Sequence, residues 1–187
     1  MKKWIKEIII MGVIVKIIFM VMAGDIKLPT FISNKVDLKK MIDGDTIHIQ
    51  GVGEFDYPTL FNTKKLVEDM YNVPVTIDEP ITLSSDFYID GFINIDKCLS
   101  EFDDNSNRIL VTNNKCFSKD SGRELGGKAE SFGNIVILGS SPVNELKWLI
   151  KHEIGHTQGL THCETPNCLM SETRNVGGNS LELCDKH

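Results

Sequence analysis

The 187-residue sequence has little positive charge, few cysteines and no long uninterrupted hydrophobic run. Its 20 basic residues against 26 acidic ones give a formal charge of −6, which argues against nucleic acid as a partner because phosphate binding needs a basic surface. Five cysteines are too few, and odd in number, for a scaffold built on disulfides. With 15 Gly and 6 Pro, a collagen-like or low-complexity chain is also excluded. The composition is typical of a globular domain, and a chain of this length can bury a hydrophobic core.

The amino-terminal 24 residues differ from the rest of the chain. Three of the first six residues are lysine, and an apolar stretch follows at residues 8–23 that only Lys16 interrupts. This order, with small residues around Ala23 and Gly24, is typical of a secretory signal peptide. The stretch has 16 residues, fewer than the roughly 20 that span a bilayer. A membrane anchor is therefore the second interpretation, and a buried helix of a cytosolic protein is the third.

We therefore predict that residues 1–23 form a signal peptide or an amino-terminal membrane anchor, and that residues 24–187 form a single domain. The expected location is secreted or periplasmic. Attachment to a membrane through residues 1–23 is the alternative.

Hydrophobic periodicity predicts an α/β domain in which a mixed β-sheet packs on helices. Period-two alternation predicts a strand at residues 46–55, and short apolar segments predict strands at residues 73–77, 108–112 and 134–138. The shortness of the last one favours an edge position. Helical spacing predicts helices at residues 58–70 and 91–102, whereas the glycine-rich residues 126–129 suggest a loop. The order up to residue 112 is thus βαβαβ.

One further helix carries the candidate chemistry. Ser141 can cap its amino terminus, and Pro142 suits its first position because the missing N–H group has no helical partner there. Apolar residues recur every three or four positions from Leu146 to Ile154 and form one face. Gly159 can adopt a positive φ and end the helix. Beyond it the periodicity is weak, so we expect a carboxy-terminal loop region held by something other than core burial.

This helix contains His-Glu-Ile-Gly-His, followed by Thr-Gln-Gly-Leu-Thr-His. His152 and His156 are one helical turn apart and project toward one ion, and the turn at Gly159 can bring His162 to the same ion. Three imidazoles leave one tetrahedral position of a zinc ion open for water, as in catalytic sites. Glu153 is placed to act as the general base. A bare His-Glu-x-x-His occurs by chance on many helices, but the third histidine and the glycine favour zinc.

A second set of candidate ligands follows directly. Cys163 and Cys168, together with the distal pair Cys184 and His187, have spacings close to those of structural zinc sites. Four such ligands would also explain how a segment without apolar periodicity is ordered. The alternative is a disulfide, for example between Cys163 and either Cys168 or Cys184, which a secreted protein allows.

The segment from His152 to His162, followed by Cys163 and then by Cys168-Leu169-Met170, resembles the archaemetzincin family within the metzincin clan of zinc peptidases. The resemblance is close over residues 152–170 and includes residues 108–110, 127–129 and 135–138, whereas residues 25–105 match only in the order of elements. It implies a compact α/β metallopeptidase with two zinc ions per chain, one catalytic and one structural, and with Met170 in the turn beneath the catalytic site.

Carried over residue by residue, the resemblance implies Glu153 as the base. The implied metal ligands are His152, His156 and His162 for the catalytic zinc, and Cys163, Cys168 and Cys184 for the structural zinc. The sequence departs from the family at the fourth structural ligand, where Cys-x-x-Cys is replaced by Cys-x-x-His with His187. Two other departures are the short stretch between Met170 and Cys184 and the export signal.

Four further residues have less specific signals. Cys98 and Cys116 are predicted to be buried thiols, with a mutual disulfide as the alternative. Arg174 and Asn175 are candidates for an oxyanion stabiliser, although solvated loop residues are the default interpretation.

The hypothesis is that residues 24–187 form a single metalloprotease domain, which acts as a monomeric zinc metallopeptidase. It would hydrolyse peptide bonds in a peptide or protein substrate by a zinc-activated water. The alternative is a zinc-stabilised binding module with an inactive metzincin-like site. Glu153 separates the two, because a purely structural zinc site has no use for a carboxylate at that position and takes a fourth protein ligand instead of an open position.

Overall fold

The computed structural model describes residues 46–104, 106–172 and 181–187. The predicted signal peptide or anchor, residues 1–23, lies outside these ranges, as do the oxyanion candidates Arg174 and Asn175. Among the helices in the described ranges, none is both long and apolar enough to span a bilayer.

The described elements are nine strands and three α-helices. In chain order they are β1 (Ile47–Val52), α1 (Tyr57–Tyr71), β2 (Val75–Ile81), β3 (Tyr88–Ile89), β4 (Phe92–Asn94), α2 (Ile95–Phe102), β5 (Arg108–Val111), β6 (Cys116–Ser118), β7 (Arg123–Leu125), β8 (Gly127–Ala129), β9 (Ile135–Leu138) and α3 (Val143–Thr157). A short 3₁₀ turn, Ser85–Phe87, precedes β3.

Two sheets organise these strands. The larger has the order β2-β1-β5-β9-β8 and is parallel except for β8, which runs antiparallel to β9 at the edge. The smaller has the order β3-β4-β6-β7. The predicted fold class, a mixed sheet packed on helices with an active-site helix, is confirmed.

Strands β5 and β9 of the larger sheet are almost entirely buried on both faces, which explains why their sequences are continuous apolar runs. Along β5, Ile109 and Val111 join the core that also contains α1 and α3 residues, whereas Leu110 between them joins the core formed with α2 and the smaller sheet. Strand β9 alternates in the same way. The period-two geometry of a strand thus links two cores through one sheet.

The structure corrects three predictions. Residues 126–129 are not a loop, because Gly127–Ala129 is strand β8, paired with β9 in spite of its poor strand propensity. It follows that β9 is not the edge strand, since it lies between β5 and β8. The predicted helix at 91–102 is a strand for its first part, and Asn94 caps α2 by accepting a hydrogen bond from the backbone N–H of Lys97.

Helix α3, which carries the candidate histidines, begins one residue later than predicted. Pro142 occupies the N-cap position, no side chain caps the helix, and Ser141 Oγ has no hydrogen-bond partner among the described residues. The predicted end is correct: the last helical residue is Thr157, and Gly159 has a φ of +81°.

Beyond Gly159 the chain returns beneath α3. The backbone N–H of Cys163 donates to the carbonyl of Met170 at 2.9 Å, and Cys163 forms an isolated parallel bridge with Ser171. Met170 is fully buried. A Cβ atom added to Gly155 would lie 2.7 Å from Met170 Sδ, so the absence of a side chain at Gly155 lets this turn press against the helix between its two histidines.

We predict that Gly155→Ala destabilises the protein, although alanine is better than glycine by about 0.5–1 kcal/mol in a helix interior. The overlap with Met170 Sδ costs roughly 1–3 kcal/mol, which exceeds the gain in helix propensity, so the net change in the free energy of unfolding is a loss of stability. Thermal unfolding of parent, Gly155→Ala, Met170→Ala and the double variant at equal metal content measures it. The double variant should lose less stability than the two single losses together. A Gly155→Ala variant as stable as the parent would contradict this packing.

Candidate metal centres and active-site cleft

Three histidine side chains from α3 and the following loop converge on one point. The Nε2 atoms of His152 and His156 are 3.2 Å apart, those of His152 and His162 are 3.2 Å apart, and those of His156 and His162 are 3.1 Å apart. His152 is buried, whereas His162 is exposed. The structure therefore brings together the three histidines predicted as ligands of one ion.

Backbone carbonyl groups fix two of the imidazole tautomers. His152 Nδ1 donates to the carbonyl of Leu169 at 2.9 Å, and His156 Nδ1 donates to the carbonyl of Leu160 at 2.7 Å, because a carbonyl only accepts. Burial lowers the pKa of His152 to about 4 and also lowers the pKa values of His156 and His162. The neutral rings of His152 and His156 therefore direct unprotonated Nε2 atoms at each other.

This arrangement fits a zinc ion. Ligands at about 2.0–2.1 Å in a regular tetrahedron have nitrogen–nitrogen separations of about 3.3–3.4 Å, close to the observed 3.1–3.2 Å. Nitrogen lone pairs that face one another at this distance repel, and a cation relieves this repulsion. The carbonyl partners on the opposite ring nitrogens are the outer contacts that metal-binding histidines usually make.

Glu153 lies beside this cluster and is buried. An added Cβ atom on Gly127 of strand β8 would lie 3.0 Å from Glu153 Oε1, so the carboxylate rests against the backbone of the edge strand. Burial raises the pKa of Glu153 to about 8 in the chain without a metal, and the positive charge of Lys128 acts in the opposite direction. A bound cation would favour the carboxylate form further.

The histidines and Glu153 open onto a cleft of about 610 Å³. One wall is formed by α3 and the loop after it, and the other by strands β7 and β8. In the described part of the sheet β8 pairs only with β9, and an edge strand presents a row of backbone N–H and C=O groups to a further strand. The cleft thus combines the candidate metal centre with an edge suited to an extended chain.

A half-buried ion pair holds the β-strand wall in place. Lys128 Nζ lies 2.5 Å from Asp96 Oδ1 and 3.1 Å from Asp120 Oδ2, and Asp96 also accepts a hydrogen bond of 2.6 Å from the backbone N–H of Lys119. Burial by itself would raise the pKa of Asp96. The ion pair with Lys128 and the hydrogen bonds from the backbone N–H of Asp120 and from Ser118 outweigh this effect and hold the pKa below its usual value. The network joins the first turn of α2 to the cleft wall.

The second predicted ligand set is also brought together. One donor atom from each of Cys163, Cys168, Cys184 and His187 lies within 4.8 Å of all the others. Cys163 Sγ and Cys184 Sγ are 3.7 Å apart, close to the roughly 3.8 Å expected for two thiolates on a tetrahedral zinc. His187 Nε2 is buried without a hydrogen-bond partner among the described residues. Burial opposes ionisation of Cys184, but hydrogen bonds, the first of them from the backbone N–H of Lys186, lower its pKa to about 7.

All five cysteines lie in the described ranges, and each is a free thiol. The separation of 3.7 Å between Cys163 and Cys184 is far beyond the roughly 2.05 Å of a disulfide bond, so the disulfide alternative is wrong for this pair. Cys98 and Cys116 are buried, as predicted, and burial raises the pKa of each to about 12.

Several cleft residues were not predicted from the sequence. Asp96 and Lys128 are 32 positions apart, and Arg123 reaches Glu172 across 49 positions in an ion pair of 2.5 Å at the cleft. Trp148 also lines the cleft, with its ring centroid 4.7 Å from that of His152. Its position four residues before His152 on α3 is a signal that helical spacing could have given.

Known proteins share both the sequence of this site and the fold. Residues 145–184, which include all the candidate ligands except His187, match Peptidase family M54. The chain superposes on the archaemetzincin AmzA from Archaeoglobus fulgidus, whose crystal structure is a malonate complex, with a TM-score of 0.64 and 22% identity over 76% of this chain and 97% of that one. A zinc-dependent peptidase from Methanocorpusculum labreanum gives a TM-score of 0.53 and 19% identity over 75% and 96%. No curated protein matches the sequence.

These findings confirm the resemblance to the archaemetzincin family that the zinc motif and the cysteine pair predict. The two structures show that the fold is shared along nearly the whole length of those proteins. The family match over residues 145–184 and the two ligand clusters support a zinc metallopeptidase as the class of this protein.

Proposed function

We propose that the protein is a zinc metallopeptidase that hydrolyses peptide bonds, with His152, His156 and His162 as ligands of the catalytic zinc and Glu153 as the general base. The observation that carries the proposal is the convergence of three imidazole nitrogens within 3.2 Å beside the buried carboxylate of Glu153. The family match over residues 145–184 supports the same assignment.

The chemistry divides between the metal and Glu153. Zinc, when bound by the three histidines, supplies Lewis acidity that polarises a carbonyl group and lowers the pKa of a water molecule to about 7. Glu153 accepts a proton from the attacking water and later passes it to the leaving amine. Its burial against Gly127 holds the carboxylate in one position and keeps bulk water away from the proton.

An extended peptide is the substrate that this cleft suits. A peptide that adds to the edge strand β8 forms main-chain hydrogen bonds that do not depend on its side chains, as in other cases of strand addition. Such a peptide would pass directly over Gly127 and Glu153. All the proposed catalytic groups come from one chain, so we propose that a monomer is competent.

The second cluster is proposed as a structural zinc site with Cys163, Cys168, Cys184 and His187 as its ligands. A closed set of four protein ligands is typical of structural zinc. The short sulfur–sulfur distance, the lowered pKa of Cys184 and the buried, unpartnered Nε2 of His187 support it. Two zinc ions per chain are therefore proposed.

For the location, we propose export from the cytoplasm with removal of residues 1–23, on the basis of the basic start and the apolar stretch alone. Retention of this segment as a membrane anchor is the alternative.

Glu153→Gln is expected to keep the fold and both metals but to lower kcat/KM for peptide hydrolysis by at least the roughly 10²–10⁴-fold of general acid–base catalysis. Glu101→Gln, which neutralises an exposed carboxylate on α2, is the control and should leave turnover unchanged. Hydrolysis of a peptide library and metal analysis of both variants measure this. Undiminished hydrolysis by zinc-loaded Glu153→Gln would remove Glu153 from the mechanism. A zinc-loaded parent that binds peptides but cleaves none would favour the inactive binding module.

His187→Ala is expected to weaken the retention of one zinc per chain by more than about 10-fold and to lower the melting temperature, while the other zinc stays bound. His187→Cys should retain both ions, because thiolate and imidazole are interchangeable zinc ligands. Lys186→Ala, at an exposed neighbouring side chain, is the control. Metal analysis under graded chelator measures the retention. Two ions held as tightly in His187→Ala as in the parent would rule out His187 as a ligand.

Protein isolated from its native host is expected to begin at Gly24, because signal peptidases cleave after small residues that follow an apolar stretch. Intact mass spectrometry of the soluble and membrane fractions identifies the first residue. A protein that begins at Met1 in the soluble cytosol would contradict export. The same full-length mass in the membrane fraction would select the anchor.

A further inference from the structure

Phe132 is the most exposed large apolar side chain among the described residues. It is 82% exposed, whereas Phe61 and Tyr57, the next two, are 59% and 57% exposed. Phe132 also has a φ of +59°, a backbone conformation that is unfavourable for a bulky side chain. Phe132 lies in the turn between β8 and β9, and asparagine or glycine at this position would make the protein more stable because both tolerate a positive φ.

The turn holds Phe132 in a defined place. The backbone N–H of Gly133 donates to the carbonyl of Glu130 at 3.0 Å, and a Cβ atom on Gly133 would lie 2.7 Å from Glu130 Cβ, so the turn is tightly closed. The ring of Phe132 lies directly over the backbone of Gly159, where an added Cβ atom would collide with it. Gly159 links His156 to the loop that carries His162.

This contact places Phe132 at one end of the cleft. Ser131, the residue before it, lines the cleft, and so do Leu160 and Thr161 directly after Gly159. The ring therefore stands at the gap between the end of strand β8 and the loop to His162. An extended peptide that pairs with β8 and leaves the cleft at this end must pass it.

The cleft is more apolar at the end near Phe132 than along strand β7. Near Phe132 the lining includes Ala129 and Leu160. On strand β7 the lining includes Arg123, which forms its 2.5 Å ion pair with Glu172. An aromatic ring that is exposed to water is stabilised when another apolar group covers it, because apolar surface is then removed from water.

We propose that Phe132 is a specificity-determining residue that contacts an apolar side chain of the peptide substrate on one side of the scissile bond. This inference rests on the proposed function, since it concerns the substrate of the same cleft. A purely structural role for Phe132 does not account for a side chain that is exposed over most of its surface at a backbone conformation that favours smaller residues.

Phe132→Asn tests the proposal, because asparagine tolerates the positive φ and removes the ring. The parent and the variant each cleave a set of peptide libraries, in each of which a single position of the peptide is varied. At one position, kcat/KM for peptides with a large apolar residue should fall about 10- to 100-fold, while peptides with glycine or serine there change little. Phe61→Ala, which removes another exposed aromatic side chain outside the cleft, should leave the whole profile unchanged.

The melting temperature of Phe132→Asn should equal or exceed that of the parent, because the unfavourable backbone conformation is relieved. An equal loss of kcat/KM for all peptides, or an unchanged profile, would overturn the proposal. So would a profile altered to the same extent by Phe61→Ala.

A binding measurement separates this proposal from the proposed function. Fluorescence anisotropy of labelled peptides on Glu153→Gln, with and without Phe132→Asn, reports peptide preference without catalysis. If the parent cleaves no peptide, the proposed function fails, but a preference for apolar peptides that Phe132→Asn abolishes still supports the role of Phe132. Binding without any preference that depends on Phe132, or no peptide binding at all, overturns that role.

Discussion

The repulsion between imidazole nitrogens at 3.1–3.2 Å is the constraint around which the site is built. Neutral histidines do not hold unprotonated nitrogens this close unless the surrounding structure fixes them or a cation joins them. The carbonyls of Leu169 and Leu160 fix the two rings on α3, and burial keeps them neutral. The apolar face of α3, packed on the larger sheet, supplies the rigidity that this requires. The fold thus holds the three rings in an arrangement that suits a metal ion, as proposed above.

The edge strand adds a second constraint, because β8 must approach α3 closely enough to form a cleft wall and still leave room for Glu153. Gly127 satisfies both requirements, since any side chain there would meet the carboxylate at about 3 Å. The ion pair between Lys128 of β8 and Asp96 of α2 then fixes the position of this strand. The proposed general base and the proposed peptide-binding edge are therefore positioned by the same three-residue strand. This explains how so short a strand, with so little intrinsic propensity, has a defined place in the fold.

What the sequence predicts well is what depends on local spacing. His152 and His156 are related by one helical turn, and the end of the helix at Gly159 follows from a glycine in the left-handed region. What it predicts poorly depends on contacts between distant positions. The sequence predicts a loop where strand β8 lies, because its three residues have no strand pattern, and only pairing with β9 makes them a strand. The Lys128–Asp96 and Arg123–Glu172 pairs have no signal along the chain, since either partner alone is an ordinary charged residue.

The two candidate metal centres are connected by the chain itself. Cys163 directly follows His162, and its backbone N–H donates to the carbonyl of Met170, which packs under Gly155 between the two helical histidines. The carbonyl of Leu169, which orients His152, lies between Met170 and the proposed ligand Cys168. Fixing the sulfur ligands on one ion therefore also fixes the position of His162 and the hydrogen-bond acceptor of His152. In this arrangement the proposed structural zinc would take no part in the reaction, but it would restrict the freedom of two proposed ligands of the catalytic zinc. A loop region with little apolar periodicity would in this way hold a histidine in a defined position.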